Sequence, residues 1–124
     1  ATCGKCHQVD ERGTRVGPDL TFIGRGMDRR RLLESILQPS LEVAPYMRPW
    51  IITMDDGATH TGIAMRRGGN SEVYLGIEGK EIRLDKRKIK DKTEGIHSLM
   101  PPGLALMLTD GELRDLLAFL MARR

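Results

Sequence analysis

The hydrophobic period of this chain changes twice, and that limits its fold more than any other feature. Leu32, Leu33, Ile36 and Leu37 recur at helical spacing over about 29–37, with Asp28 placed to cap the first turn and Pro39 to end the last. From about 49 to 90 apolar residues alternate instead: Trp50, Ile52 and Met54; Ile63 and Met65; Val73, Leu75 and Ile77; Ile82 and Leu84. Asp56-Gly57, Gly68-Gly69-Asn70 and Glu78-Gly79-Lys80 separate these runs with turn chemistry. The pattern predicts four or five short antiparallel strands that curl into a small barrel-like segment. Helical spacing returns in Leu113, Leu116, Leu117 and Leu120, opened by Thr109 and Glu112 as a T-x-x-E capping box. Pro39, Pro45 and Pro49 on one side, and Met100-Pro101-Pro102-Gly103 on the other, mark irregular crossings. The expected architecture is one domain over 1–124. Residues 1–48 and 93–124 form a mainly α body, and about 49–92 form an inserted antiparallel β segment, α+β overall.

A chain of 124 residues is long enough to bury a core. Its aromatics are Trp50, Tyr46, Tyr74, Phe22 and Phe119. Apolar bulk must therefore come from Leu, Ile, Met and Val, or in part from a buried cofactor. No stretch approaches the ~18 apolar residues of a membrane span. A formal charge of +3 does not call for nucleic acid.

The chemistry lies at the start, in Cys3-Gly4-Lys5-Cys6-His7. C-x-x-C-H is the attachment pattern of c-type haem. Two thiols add to the two vinyl groups, two intervening residues let one helical turn span them, and the adjacent histidine lies under the iron. Zinc is the nearest rival. It needs four ligands, and beyond the motif only His60 and His97 could complete a histidine–cysteine set. A thioredoxin-like redox pair would need a βαβ context that the sequence does not show, and plain structural cysteines are the remaining alternative. With only two residues before the motif, the chain reads as a processed or excised piece. A haem in electron transfer takes a second axial ligand, often methionine. Of seven methionines, Met107 reads as core and Met100 stands apart, before two prolines and a glycine in a rigid loop. His97 is a rival distal ligand. No serine–histidine–aspartate order, carboxylate dyad or phosphate loop is evident.

"CGKCH", "VGPDLTFIG" and "SLMPPGLALMLTDGELRDLLAFL" together resemble class I cytochrome c, and "LLESILQPSLEVAP" and "TMDDGATHTG" extend the likeness to the Planctomycete-type haem-binding domain. The resemblance covers nearly the whole chain. It implies a mainly helical cytochrome c fold and one covalent haem c per chain. Cys3 and Cys6 would be the thioether attachments, His7 the proximal ligand and Met100 the distal ligand. Pro18 would carry the carbonyl that accepts the His7 Nδ1–H, and Leu20 would pack on the macrocycle. The implied role is an electron carrier rather than an enzyme, with a redox partner protein or a fused dehydrogenase domain and a periplasmic or otherwise exported location. The alternative is a gas or peroxide sensor, or a small enzyme, whose distal methionine dissociates.

Class I cytochromes begin with a helix that crosses the last one, and here that helix is missing or shortened. The leucine stripe of the last helix would then need cover from an upstream segment, the β insert or a second copy. "RLDKRKIKDK", residues 83–92, has six basic and two acidic residues. It reads as a lysine-guarded strand edge or as a docking face for an acidic redox partner. It lacks the interleaved aromatics of a nucleic-acid groove. Arg25, Tyr46 and Trp50 are further candidates for contact with haem propionates, and packing is the competing reading for the two aromatics.

Overall fold

The structure is a computed structural model and describes residues 2–124. The chain divides into two compact units: residues up to Val43 together with Met100–Arg124, and Ala44–Leu99. The second unit is wider at both ends than the alternating stretch of the sequence.

The expectation of a mainly α fold is not met. The described residues form two α-helices, a five-stranded antiparallel sheet and a two-stranded sheet, about 30% helix and 29% strand. The reason lies in residues 2–27 and 100–108. Their glycines and prolines permit only a hairpin and short 3-10 turns, at Cys3–Lys5, Ile23–Arg25 and Leu104–Met107. No described helix is long and apolar enough to cross a membrane.

In the first unit, strands β1 (Gln8–Val9) and β2 (Arg12–Gly13) form a hairpin, followed by helix α1 (Arg29–Leu37) and, at the end of the chain, helix α2 (Asp110–Met121). Asp28 caps α1 by accepting from the Arg31 N–H at 2.9 Å. Leu32, Leu117 and Leu120 are buried together, with Leu20, Ile23, Met27, Leu33, Leu113 and Leu116 packed around them. The leucine stripe of α2 thus finds cover inside its own unit, from α1 and residues 20–27. No upstream helix is needed to bury Leu117 and Leu120. Met107, expected in the core, is 69% exposed at the end of its 3-10 turn.

Thr109 and Glu112 complete the capping box on α2: the Glu112 N–H donates to Thr109 Oγ1 at 3.1 Å, and the Thr109 N–H donates to Glu112 Oε1 at 2.9 Å. The donated Thr109 N–H holds the Glu112 carboxyl below the usual glutamate range. A carboxyl depressed in the folded state contributes stability above its ordinary range, and that contribution fades as pH falls through the folded value. Denaturant titrations from pH 7 to pH 3 should therefore show a shallower acid-side loss for Glu112→Gln than for the parent. Equal slopes would assign the acid sensitivity elsewhere.

In the second unit, strands β3 (Pro49–Met54), β4 (Thr59–Gly68), β5 (Ser71–Leu75), β6 (Glu81–Asp85) and β7 (Ile89–Glu94) pair in the order β6-β5-β4-β3-β7. The first three turns fall where the glycines predict them, with Gly57, Gly69 and Gly79 at positive φ. The two edge strands, β6 and β7, are consecutive and joined only by Lys86–Lys88. In a flat sheet they would lie about 19 Å apart, four strand spacings. The four residue steps from Asp85 to Ile89 span at most about 14 Å. The sheet must therefore curl. A second contact agrees: Lys92 Nζ on β7 lies 2.8 Å from Glu72 Oε1 on β5, across two intervening strands.

The core of this unit is Ile52, Met54, Tyr74 and Leu84, with Trp50, Ala64, Ile82 and Ile89 packed against it. Trp50, Ile52, Met54, Ile82 and Leu84 are the residues that the alternation assigns to core faces. On β4 and β5 the core takes the opposite parity. Register pairs Trp50 with Gly62 and Ala64 with Tyr74, so Tyr74 points into the core and is fully buried. Gly62 is the reason: a Cβ there would stand 3.1 Å from the Tyr74 Cβ and 2.9 Å from the Leu75 oxygen. Ile63 and Val73 are buried on the other face, and a register shift between Ala64 and Arg66 leaves Met65 49% exposed.

Candidate functional site

The C-x-x-C-H segment forms one tight turn. The backbone N–H groups of Cys6 and His7 both donate to the Cys3 carbonyl, at 3.1 and 2.9 Å. The two thiols are not joined in a disulfide, and Cys3 is exposed while Cys6 is half-buried. The loop after the hairpin folds back over the turn. The Cys6 carbonyl accepts from Val16 N–H at 3.0 Å and Gly17 N–H at 2.7 Å. Gly13, at φ +105°, lies so close to the His7 carbonyl that a side chain has no room.

These contacts set the histidine. His7 Nδ1 lies 2.8 Å from the Pro18 carbonyl oxygen. A carbonyl only accepts, so Nδ1 carries a proton and donates it to Pro18, which leaves Nε2 as the nitrogen open to act as a ligand. Gly17 lies against the ring: a Cβ at that position would stand 2.7 Å from Cε1 and 2.9 Å from Nδ1. Gly17 was not among the sequence-derived site residues. Its signal is the "VGPDL" stretch, where a glycine precedes the proline that supplies the carbonyl.

The hairpin is held to the end of α2. The Asp10 N–H donates to Thr21 Oγ1 at 2.9 Å, and an Arg123 N–H donates to the Asp10 carboxylate. Thr21 in turn donates its hydroxyl and its backbone N–H to Asp19, which holds that carboxyl below the usual aspartate range. The Gly24 N–H donates to the Arg123 carbonyl at 2.7 Å, and a Cβ on Gly24 would collide with the Met121 oxygen. The turn between β1 and β2 carries strain, because Asp10 and Glu11 both adopt left-handed φ, 49° and 66°. Glu11→Gly should raise stability by about 1 kcal/mol in equilibrium unfolding, since a left-handed residue with a Cβ costs roughly that much. A loss of stability would refute the strain.

Of the other sequence-derived residues, Leu20 joins the leucine core and donates its N–H to the Gln8 carbonyl at 2.8 Å. Met100 is half-buried in the same unit, ahead of Gly103 at φ +85°, which starts the Leu104–Met107 turn. Arg25 stacks on Phe22, 4.3 Å from the ring centroid. Tyr46, Trp50, His60 and His97 belong to the second unit. Tyr46 is exposed, whereas Trp50 packs on the sheet core. Among the described residues, no three His, Cys, Asp or Glu side chains gather to hold a metal ion, so a four-ligand zinc site at the cysteines has no support in this geometry.

The residues fit a covalent haem. The donor set has two thiols not joined in a disulfide and an imidazole whose Nδ1 is engaged by Pro18, with Nε2 as the remaining ligand atom. Gly17, with no side chain of its own, lets the backbone lie against that imidazole. No protein-family model matches this chain, and no curated protein is found similar to it.

Proposed function

We propose that this chain is an electron-transfer module carrying one covalent haem c, attached through Cys3 and Cys6 and ligated by His7 and Met100. One observation carries the reading: the 2.8 Å contact from His7 Nδ1 to the Pro18 carbonyl. A haem bound there supplies a one-electron couple. The chain's own part is to orient and polarise its ligands. The Pro18 carbonyl fixes the tautomer of His7, aims Nε2, and raises the basicity of the imidazole. Gly13 and Gly17 let the loop approach closely enough to make that bond. The rigid Met-Pro-Pro-Gly segment offers a thioether, a soft ligand that raises the reduction potential. An exported location goes with the reading, because in the resembled family thioether attachment takes place outside the bacterial cytoplasm. A redox protein or fused dehydrogenase is the partner that such a module would serve.

Visible spectra of the oxidised and reduced protein, with a pyridine haemochrome assay, test the proposal. Sharp c-type α and β bands with a weak red sulfur-to-iron band are the expected result, and Met100→Ala should abolish the red band and leave the haem covalently attached. A haem without that band in the parent would favour the sensor reading. No attached haem after expression with a haem-maturation system would sink both.

A further inference from the structure

In the folded second unit, the cations of residues 83–92 fall into two groups. Arg87 pairs with Asp85 at 3.3 Å, and Lys92 pairs with Glu72 at 2.8 Å. Arg83, Lys86, Lys88 and Lys90 are exposed and form no ion pair among the described residues. Arg66 on β4 joins them. Register sets Arg66 opposite Val73 on β5, and Val73 opposite Arg83 on β6. Opposed residues share a face, so the two arginines flank buried Val73 at two strand spacings, about 10 Å apart. Arg66 is likewise exposed and without an ion pair among the described residues.

The main chain fixes this patch in place. The Lys86 N–H donates to the Asn70 carbonyl at 2.9 Å, and the Asp55 N–H donates to the Lys88 carbonyl at 2.9 Å. The Lys86–Lys88 turn is thereby tied to the β4–β5 turn at one end and to the β3–β4 turn at the other. Asp85 accepts from the Arg87 N–H at 3.0 Å and closes the turn. A partner would meet a surface whose backbone is already ordered.

Guarding strand edges accounts for Arg83 on β6 and Lys90 on β7. It does not account for Arg66, on the central strand, or for Lys86 and Lys88, which lie on the turn. Nor is the positive charge a general property of the chain. Residues 83–92 hold six basic and two acidic residues, an excess larger than the +3 of the whole chain.

The acids that remain narrow the choice of partner. Glu81 stands two residues from Arg83, and Asp91 lies beside Lys90. A continuous array of phosphates would be repelled by them, and no aromatic occurs in 83–92 to stack a base. Ile89 packs on the core of its own unit and is not offered to a lipid surface. Spaced carboxylates on a protein suit the mixed pattern.

We propose that the Lys86–Lys88 turn, with Arg66, Arg83 and Lys90, is a docking face for an acidic segment of a partner protein. The proposal rests on the second unit alone and is independent of the haem reading.

The test is a binding titration of the full chain with short poly-L-glutamate, with a single-stranded DNA oligonucleotide and phosphatidylserine vesicles as rival probes. At equal probe charge the parent should bind poly-glutamate most tightly, and salt should weaken that binding. Lys86→Glu with Lys88→Glu should weaken it about tenfold, because two attractions become two repulsions. Both lysines are tied through their main chain, so the fold should survive. Lys86→Gln with Lys88→Gln should give part of the loss. Arg29→Glu with Arg124→Glu changes the charge equally on the first unit and should alter binding little. Equal weakening by that control pair reduces the effect to net charge and overturns the docking face. Tighter binding of the oligonucleotide or the vesicles assigns the face to phosphate and also overturns it, as does a parent that does not bind poly-glutamate at low salt. If the glutamate pair does not fold, the glutamine pair decides, and unchanged binding there overturns the proposal.

Discussion

Gly17→Ala is expected to displace the His7 ring from the Pro18 carbonyl and to cost about 2–4 kcal/mol. The added Cβ would stand 2.7 Å from Cε1 and 2.9 Å from Nδ1, inside the distance that real Cβ atoms keep. The backbone on either side cannot move away cheaply, because the Gly17 N–H is bonded to the Cys6 carbonyl at 2.7 Å and Val16 beside it is buried. The imidazole must yield instead. Loss of a net hydrogen bond accounts for about 1 kcal/mol, and overpacking adds about 1–3 kcal/mol. Gly26→Ala is the control, since a Cβ there meets nothing within 4 Å. Two readouts separate the cases. Denaturant unfolding gives the stability difference, and the NMR signal of the Nδ1 proton reports whether the bond to Pro18 persists. If Gly17→Ala behaves like Gly26→Ala in both, the ring is not held in the way described. In haem-loaded protein, the same variant should weaken the His7 ligand and lower the basicity that the Pro18 carbonyl gives it.

Lys92→Met should destabilise the second unit by about 1.5–2 kcal/mol. The Glu72 side chain is only 4% exposed, and the Lys92 ammonium lies 2.8 Å from it. The Tyr74 hydroxyl donates to the other carboxylate oxygen at 3.2 Å. Removing the lysine takes one charge-assisted hydrogen bond from a buried carboxylate, a loss of roughly 1.5–3 kcal/mol. Lys92 retains 28% exposure, so the lower end applies. Its ammonium also sits 5.8 Å from the Trp50 ring centroid, a weaker attraction lost at the same time. Combining Lys92→Met with Glu72→Gln should cost less than the sum of the two single losses, because the two groups bond each other and the amide still accepts from Tyr74. A loss below about 1 kcal/mol in the single variant would class the pair with ordinary surface bridges. It would also weaken the argument that the pair ties β5 to β7 across the curled sheet.

The two parts of the chain differ in what could be read from their residues. In the first unit, the local signals are strong: Asp28 before an apolar period, Thr109 three residues ahead of Glu112, and C-x-x-C-H itself. Each depends on groups within one helical turn; both caps form as read, and C-x-x-C-H folds into one tight turn. The expectation of a mainly helical body came from the layout of helical periods and from the resemblance, and it fails because Gly13, Gly17, Gly24 and the prolines at 18 and 101–102 favour close-packed loops over helix. The partner of the α2 stripe was also illegible. Leu32 and Leu20 lie some ninety residues away in the chain, and nothing near Leu117 indicates them.

In the sheet, the sequence alone determined the turns and the existence of strands, because positive-φ glycines and alternation act over two to six residues. It did not determine which face of β4 and β5 meets the core. On β5, Tyr74 and Val73 are both apolar enough to be buried, and both are. The choice falls to pairing, where the missing side chain of Gly62 makes room for the Tyr74 ring. The same holds for chemistry. The residues of the motif named the candidate ligands, while only the folded chain decided which imidazole nitrogen carries the proton, which glycine lies against the ring, and that a glutamate on β5 would be buried beside a lysine on β7. Short-range sterics and capping are written in neighbouring residues. Contacts that close over long loops depend on the shape that all the elements reach together.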